Sequence, residues 1–518
     1  MKKNILILGA TLALMAFNAN AVVTASGTDG SVTWSVEDGV LTISGSGNMK
    51  DYEKKSDGTG SKAPWYNYKD EITSINVTDI STIGKRAFRG LENVQSVNIA
   101  SSVTTIKDTA FEGNSSLTSI SIPDTVTSLG QWVFKENTSL KTVEIGSGVT
   151  QINTEDFYGA TSLTSLTIGN NVTSIGNSAF YGATSLKTLV IPDSVTSLGE
   201  GAFKNASNLQ YLTIGDGLTE ISVHAFENAT GLKKLKIPQS VTKIQEGAFS
   251  HAESLTTIDF GGVTEIGTKS FAYAFSLESL VIPGTVTKIG NRTFVNSTSL
   301  KELVIGDGVT SLGERAFSID DTYNPDPVNN PYKSVLEKVT IGKNLTSIEQ
   351  GCFSGAPIKE LTFDPENTHL DTILGFFFNP KNGFDIGKIN CTGSASACNK
   401  ALDDAGFGNL KAILGDVNVE KPAPTTLTAA DVQPPAQQEP STEELQGDSG
   451  DELPNNEDQG SDEVPSTPGD QASTEPQVVT NPSAGFNRNT VRASNKIYTV
   501  HEANLAAGRK NRVMLRYR

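Results

Sequence analysis

The sequence predicts an α/β-type repeat solenoid, closed by a cap at each end and followed by a disordered tail. Two observations carry this. A Phe, most often preceded by Ala, recurs at Phe88, Phe111, Phe134, Phe157, Phe180, Phe203, Phe226, Phe249, Phe271, Phe294 and Phe317. The steps are 23 residues, broken once by 22 at Phe249 to Phe271, and a last step of 36 leads to Phe353. Between these marks the apolar pattern also recurs. Leu or Val stands six residues after each Phe from Phe88 to Phe294, followed by alternating pairs such as Ile120/Ile122, Leu166/Ile168 and Leu235/Ile237. Self-similarity at such a period marks stacked supersecondary units. One unit buries too few side chains to offset the ordering of its own backbone, whereas a stack shares its inner surface and pairs its strands.

Composition bounds the function first. The chain has 518 residues with 41 Lys and Arg against 58 Asp and Glu, a net charge of −17. Phosphate-backbone binding needs clustered cations, so nucleic acid is not an expected partner. Four His and three Cys spread along the chain exclude a Cys/His metal cluster and a disulfide-dense scaffold.

Residues 1–21 read as a signal peptide. Met1-Lys2-Lys3 is a positive start, Ile5 to Phe17 a short apolar run, and Ala19-Asn20-Ala21 a small-x-small cleavage pattern. The apolar run is shorter than the ~20 residues that cross a bilayer, and no later stretch is long enough, so no transmembrane helix is expected in the mature chain. Residues 22–71 read as an N-terminal β-hairpin cap. Val32-Thr33-Trp34-Ser35 and Val40 to Gly45 are joined by Asp38-Gly39, a two-residue hairpin signal, and Ala63-Pro64-Trp65-Tyr66 follows.

Residues 72–363 hold the repeats, with an insertion at 318–335. In each unit Leu-x-x-Ile-x-Ile ends in period-2 alternation and predicts a short strand. A Pro or Gly turn stops it (Pro123, Gly146, Pro192, Gly215), and a run like Val172-Thr173-Ser174-Ile175-Gly176 packs the next edge. The Phe begins a return segment, expected as a short helical or 3₁₀ turn. Residues 364–416 read as a C-terminal cap: strand at Lys388 to Cys391, helix at Ala395 to Ala405, strand at Asn409 to Ile413. Residues 417–487 read as a disordered acidic Pro-rich linker. From Glu420 to Asn487 there are ten Pro and fourteen Asp or Glu against Lys421 alone, too little apolar surface to order and enough charge to extend. Residues 488–518 reverse sign, with eight Lys or Arg against Glu502, and read as a basic C-terminal sorting or anchoring segment.

Ile191-Pro192-Asp193-Ser194-Val195-Thr196-Ser197-Leu198-Gly199-Glu200-Gly201-Ala202-Phe203 resembles, almost position by position, the unit of the BspA-like (Treponema pallidum type) leucine-rich-repeat surface proteins. The resemblance spans about residues 72 to 363 and implies surface display and adhesion to host matrix, host cells or other microbes. One departure is consistent. The family's Cys three residues after the Phe is replaced here by Asn114, Asn137, Ala160, Ala183, Ala206, Ala229, Ala252, Ala274 and Ser297.

No catalytic, cofactor or metal site emerges. His224, His251, His369 and His501 stand beside no Ser or Cys nucleophile at a useful spacing. Cys352 takes the Ala place of a repeat and reads as a core thiol. Cys391 and Cys398 lie seven apart; an exported protein could join them in a disulfide, the alternative being two small buried residues. Asp320, Asp321 and Asp326 make the insertion rich in oxygen, but Pro325, Pro327 and Pro331 favour a plain projecting turn. Sequons at Asn205, Asn228 and Asn296 fall at one repeat position, so the repeat itself generates them.

The outward strand positions form a ladder: Ser119/Ser121, Thr142/Glu144, Ser165/Thr167, Thr188/Val190, Tyr211/Thr213, Lys234/Lys236, Thr257/Asp259, Ser279/Val281 and Glu302/Val304. At ~4.8 Å per strand these span roughly 40 Å, a long shallow face suited to an extracellular protein or glycan ligand. Tyr211, Thr213, Lys234, Lys236, Asp259 and Glu302 are its distinctive members. An exported cell-surface protein that adheres through this face is the expected function, with no enzymatic activity. The alternatives are a secreted glycan-binding accessory protein and a structural surface-layer component. A glycan-cleaving enzyme would need two carboxylates close together, and Glu144, Asp259 and Glu302 are too many repeats apart to meet.

Overall fold

The computed structural model describes residues 23–58, 60–319, 333–434, 490–493, 496–500 and 515–517. The expected signal peptide, residues 320–332 of the insertion and the linker from 435 onward lie outside the described residues. The chain divides into two units, Met1–Gln438 and Glu439–Arg518.

The first unit is a right-through stack of repeat turns. The outward strands lie parallel from repeat to repeat and pair in successive short sheets: Thr142 opposes Ser165, Thr188 opposes Tyr211, Lys236 opposes Asp259. Alternation places Val143 and Ile145 inside and Glu144 outside, as the period-2 pattern requires. A second parallel ladder is built from two-residue strands of the Val-Thr-x-Ile-Gly runs, such as Gln151–Ile152, Ser174–Ile175 and Ser197–Leu198.

The return segment is turn rather than helix, and among the described residues α-helix occurs only at Leu370–Phe377 and Ala395–Asp404 in the C-terminal cap. Backbone satisfaction explains this. The Phe N–H donates to the next turn of the stack, as from Phe88 to the Ala110 carbonyl (2.8 Å) and from Phe203 to that of Ala225 (2.9 Å). A helix would spend those groups internally, so a 23-residue turn uses inter-repeat bonds instead. This geometry requires positive φ two residues after the Phe, where Gly159 and Gly182 stand (φ 78° and 80°) and Asn205, Asn228 and Asn296 replace glycine (φ 68°, 64° and 63°). Asn tolerates the left-handed region best among non-Gly residues, which accounts for the recurring sequons.

The inward Phe rings form a continuous spine. From Phe88 to Phe353 consecutive rings stack with centroids 5.1–5.7 Å apart. The caps extend it. Trp65 is fully buried, lies 5.9 Å from Phe88 and donates its indole N–H to the Ala87 carbonyl (2.9 Å). At the other end Phe377 lies 5.6 Å from Phe353.

Strands Val23–Asp29, Val32–Glu37 and Val40–Gly45 form an antiparallel sheet around the Asp38-Gly39 turn, and the third pairs in parallel with the first repeat strand, Ser74–Val77. In the C-terminal cap Lys388–Cys391 continues the outward ladder beside Glu360–Phe363, and the Ser394 hydroxyl caps the helix Ala395–Asp404. The segment expected as a strand at 409–413 is instead the 3₁₀ helix Gly408–Ile413, and only Leu414 bridges to the sheet, at Ile389. Cys391 and Cys398 are joined as a disulfide, with Cα atoms 6.2 Å apart. Cys352 is fully buried, and burial drives its thiol well above the ordinary range.

Residues 417–434, which composition places in the extended linker, lie against the solenoid. The Asn418 and Val419 N–H groups donate to the carbonyls of Gly393 and Cys391, and Lys421 reaches Asp364 at 3.1 Å and Asp307 at 2.5 Å. In the second unit Thr490–Ala493 pairs antiparallel with Lys496–Val500, which pairs antiparallel with Leu515–Tyr517.

Candidate functional site

The ladder is a real surface with two different halves. Over the first repeats both outward positions stand open at Ser119, Ser121, Ser165 and Thr167, together with Glu144 and Val190. Val190 is 52% exposed, the most exposed large hydrophobic residue among the described residues. Hydroxyl-bearing residues dominate this half because they tolerate water and still suit a pleated strand.

Toward the C-terminus the second outward position closes. Asp259, Val304, Thr362 and Asn390 are all buried, although the same register position is open at Ser121 and Glu144. At Asn390 and Asp259 the later chain is the cover: the Asp416 N–H donates to the Asn390 side-chain carbonyl (2.9 Å), and the segment after the cap continues to Asp259. Past Lys421 it reaches Asp259, whose carboxylate accepts the Leu427 N–H (2.9 Å) as well as that of Gly261 (3.1 Å). Leu427 is 6% exposed and Val432 is 4% exposed. The short 3₁₀ turn Ala430–Val432 packs on strands Tyr211–Ile214 and Lys234–Lys236.

Asp431 organises that turn. Its carboxylate accepts the Thr428 N–H (2.9 Å) and hydroxyl (2.7 Å) and pairs with the Lys234 ammonium at 2.8 Å. The hydrogen bond from Lys234, followed by those from Thr428, holds Asp431 well below the usual carboxylate range.

Of the residues singled out in sequence, Tyr211, Thr213, Lys234, Lys236 and Asp259 therefore stand on three successive strands, while Glu302 is exposed two strands beyond Asp259. Lys234 and Asp259 are engaged by the chain itself. Sequence reasoning missed Leu427, Asp431 and Val432. The available signal was a short apolar run, Leu427 to Val432, set between Pro422/Pro424 and Pro434/Pro435. Among the described residues no group of three or more His, Cys, Asp or Glu is placed to hold a metal ion, and no helix is long and apolar enough to cross a membrane.

A stack of 23-residue turns with parallel outward strands and an inward aliphatic and Phe core defines a leucine-rich repeat protein. The chain belongs to the BspA-type leucine-rich repeat family: residues 62–187, 150–277, 264–322 and 329–390 match that repeat region, in six copies. Such repeat proteins are protein-binding scaffolds. Solved structures similar to this chain include a leucine-rich repeat protein from Bacteroides ovatus, 20% identical, covering 70% of this chain and 99% of that one at a TM-score of 0.40. A leucine-rich cell surface protein from Faecalibacterium prausnitzii is 22% identical, covering 72% and 97% at a TM-score of 0.33. The pneumococcal vaccine antigen PcpA is 18% identical, covering 77% and 99% at a TM-score of 0.36. No curated protein matches the chain.

Proposed function

We propose that the protein is exported, is held at or released from the cell surface, and adheres to an extracellular protein through the open ladder of its solenoid. The observation that carries this reading is the uncovered run from Ser119 to Val190, where hydroxyls, Glu144 and an exposed Val190 face solvent on rigid adjacent strands. Rigid strands place many weak contacts at fixed intervals, so affinity accumulates along an extended partner without a pocket. Residues 1–21 supply the export signal, and 488–518, at the end of an acidic tether, supply the sorting or anchoring element.

Protease shaving of intact cells tests the display. Cells carrying the full chain lose it to external protease, whereas a chain ending at Asn487 is released or retained inside. Equal appearance of both chains in the medium removes the surface part of the proposal.

A further inference from the structure

The segment Leu427–Val432 occupies the sheet face in the manner of a bound peptide. Two aliphatic side chains, Leu427 and Val432, are nearly fully buried, while residues 422–426 and 428–430 between and before them are exposed. One backbone N–H reaches Asp259, and one carboxylate reaches Lys234. The strands below it take their backbone partners from within the repeats, Thr188–Ile191 with Tyr211–Ile214 and Lys234–Lys236 with Thr257–Asp259. The segment is thus an addition to a finished surface. Its hold is light, because beyond Lys421 two buried side chains, the Leu427 N–H to Asp259 and a part-exposed ion pair must order the stretch from Pro422 to Pro434.

We propose that Leu427–Val432 is a built-in occupant of a peptide slot on strands Tyr211–Ile214, Lys234–Lys236 and Thr257–Asp259, and that the slot's external ligand is a peptide of the same chemistry that closes in the same short turn. That ligand presents an aliphatic side chain, a carboxylate four residues later and a second aliphatic side chain directly after it. Lys234 reads the carboxylate and Asp259 reads the backbone N–H of the first aliphatic residue. Binding requires displacement of the strap, so the intact chain shows the slot only to a ligand that outcompetes an occupant tethered beside it, with the advantage that tethering confers. The inference rests on the sheet face being the binding surface, and it narrows the partner to a protein with an exposed segment of this pattern.

The test uses the full chain and a fluorescent peptide with the sequence of residues 425–433. In the released variant Leu427→Ser/Val432→Ser the peptide binds at least tenfold more tightly than to the unmodified chain. Adding Lys234→Glu, or giving the peptide Lys in place of Asp431, abolishes the gain. Hydrogen exchange at the Leu427 amide establishes release, and Asp431→Lys in the full chain provides a second release variant that leaves every solenoid residue intact. The proposal is overturned if the peptide fails to bind once that amide exchanges freely, if it binds both chains equally, or if neither variant frees the amide. Assaying adhesion of the same chains separates the two readings. Unchanged adhesion with no peptide binding removes the slot and leaves the adhesive face. Peptide binding without adhesion by either chain removes the adhesive function and leaves the slot.

Discussion

Replacing Phe203 by Ala tests the stacked spine as the element that joins one turn to the next. Phe203 is fully buried, its ring 5.1 Å from Phe180 and 5.7 Å from Phe226, with planes within 3–4° of parallel. Removing a buried Phe costs about 3–5 kcal/mol in transfer and cavity terms. Each lost ring contact accounts for about 0.5–1.5 kcal/mol within or beyond that range. The backbone bonds from Phe203 to Ala225 and from Ala206 to Phe203 remain available, so the loss belongs to the side chain. Because stability in a solenoid is a sum of local turns and neighbour interfaces, the damage stays near the middle. Urea unfolding combined with residue-resolved hydrogen exchange should show a loss of about 3–5 kcal/mol, concentrated in amides between Phe180 and Phe226. Amides beside Phe88 and Phe353 should change little. A loss below about 1 kcal/mol, or one spread evenly from Phe88 to Phe353, would refute the reasoning.

Asp156 offers a pH test. It takes the place that Ala holds in most repeats, is fully buried, and accepts the N–H groups of Asn153 and Val133. Burial pushes its carboxyl up to about 7 against those donors. Below about pH 4 both folded and unfolded chains hold the proton and its contribution is complete. As pH rises toward and through 7 the unfolded chain alone ionises readily, and stability on the order of 4 kcal/mol is lost. Asp156→Ala removes this slope, so urea midpoints of variant and parent should diverge in the variant's favour between pH 4.5 and 7.5; parallel midpoints would contradict it. Replacing both Cys391 and Cys398 by Ser opens a loop of about eight residues and should cost about 2–3 kcal/mol, seen as faster exchange in 388–404 and unchanged exchange at the central repeats. Reversing Lys234 to Glu in the unmodified chain should free the Leu427 amide to exchange while leaving the amide of Phe226 protected. Retained protection at Leu427 would show that the ion pair does not hold the strap.

The repeat was legible because the period survives inspection of single residues: the Phe positions alone fix the register in which Thr188 meets Tyr211. The hairpin of Val32–Glu37 and Val40–Gly45 was legible through Asp38-Gly39, a pair that favours a two-residue turn. Two features were hidden for physical reasons. The return segment was expected as a short helical or 3₁₀ turn, and nothing local reveals that its N–H groups bond to the next repeat. The strap was hidden because the composition of a long acidic stretch averages away six residues, and because Leu427 and Val432 gain their meaning only from Asp259 and Lys234, more than 150 residues earlier in sequence. The ladder residues were placed correctly by alternation, but their occupancy was not a property of their own strands.

Adhesion through the open outward ladder, as proposed above, is tested by placing charge on one ladder at a time. Two full-length variants carry the same added charge on opposite ladders: Ser121→Arg/Thr167→Arg/Val190→Arg on the outward strands, and Ser128→Arg/Gln151→Arg/Ser197→Arg on exposed positions of the two-residue strands. Beads coated with each protein are applied to host-matrix proteins, cultured host cells and other bacteria, and the adherent fraction is counted. The first variant is expected to lose adhesion and the second to keep it. Adhesion kept by the first variant and lost by the second would place binding on the other ladder and contradict the account.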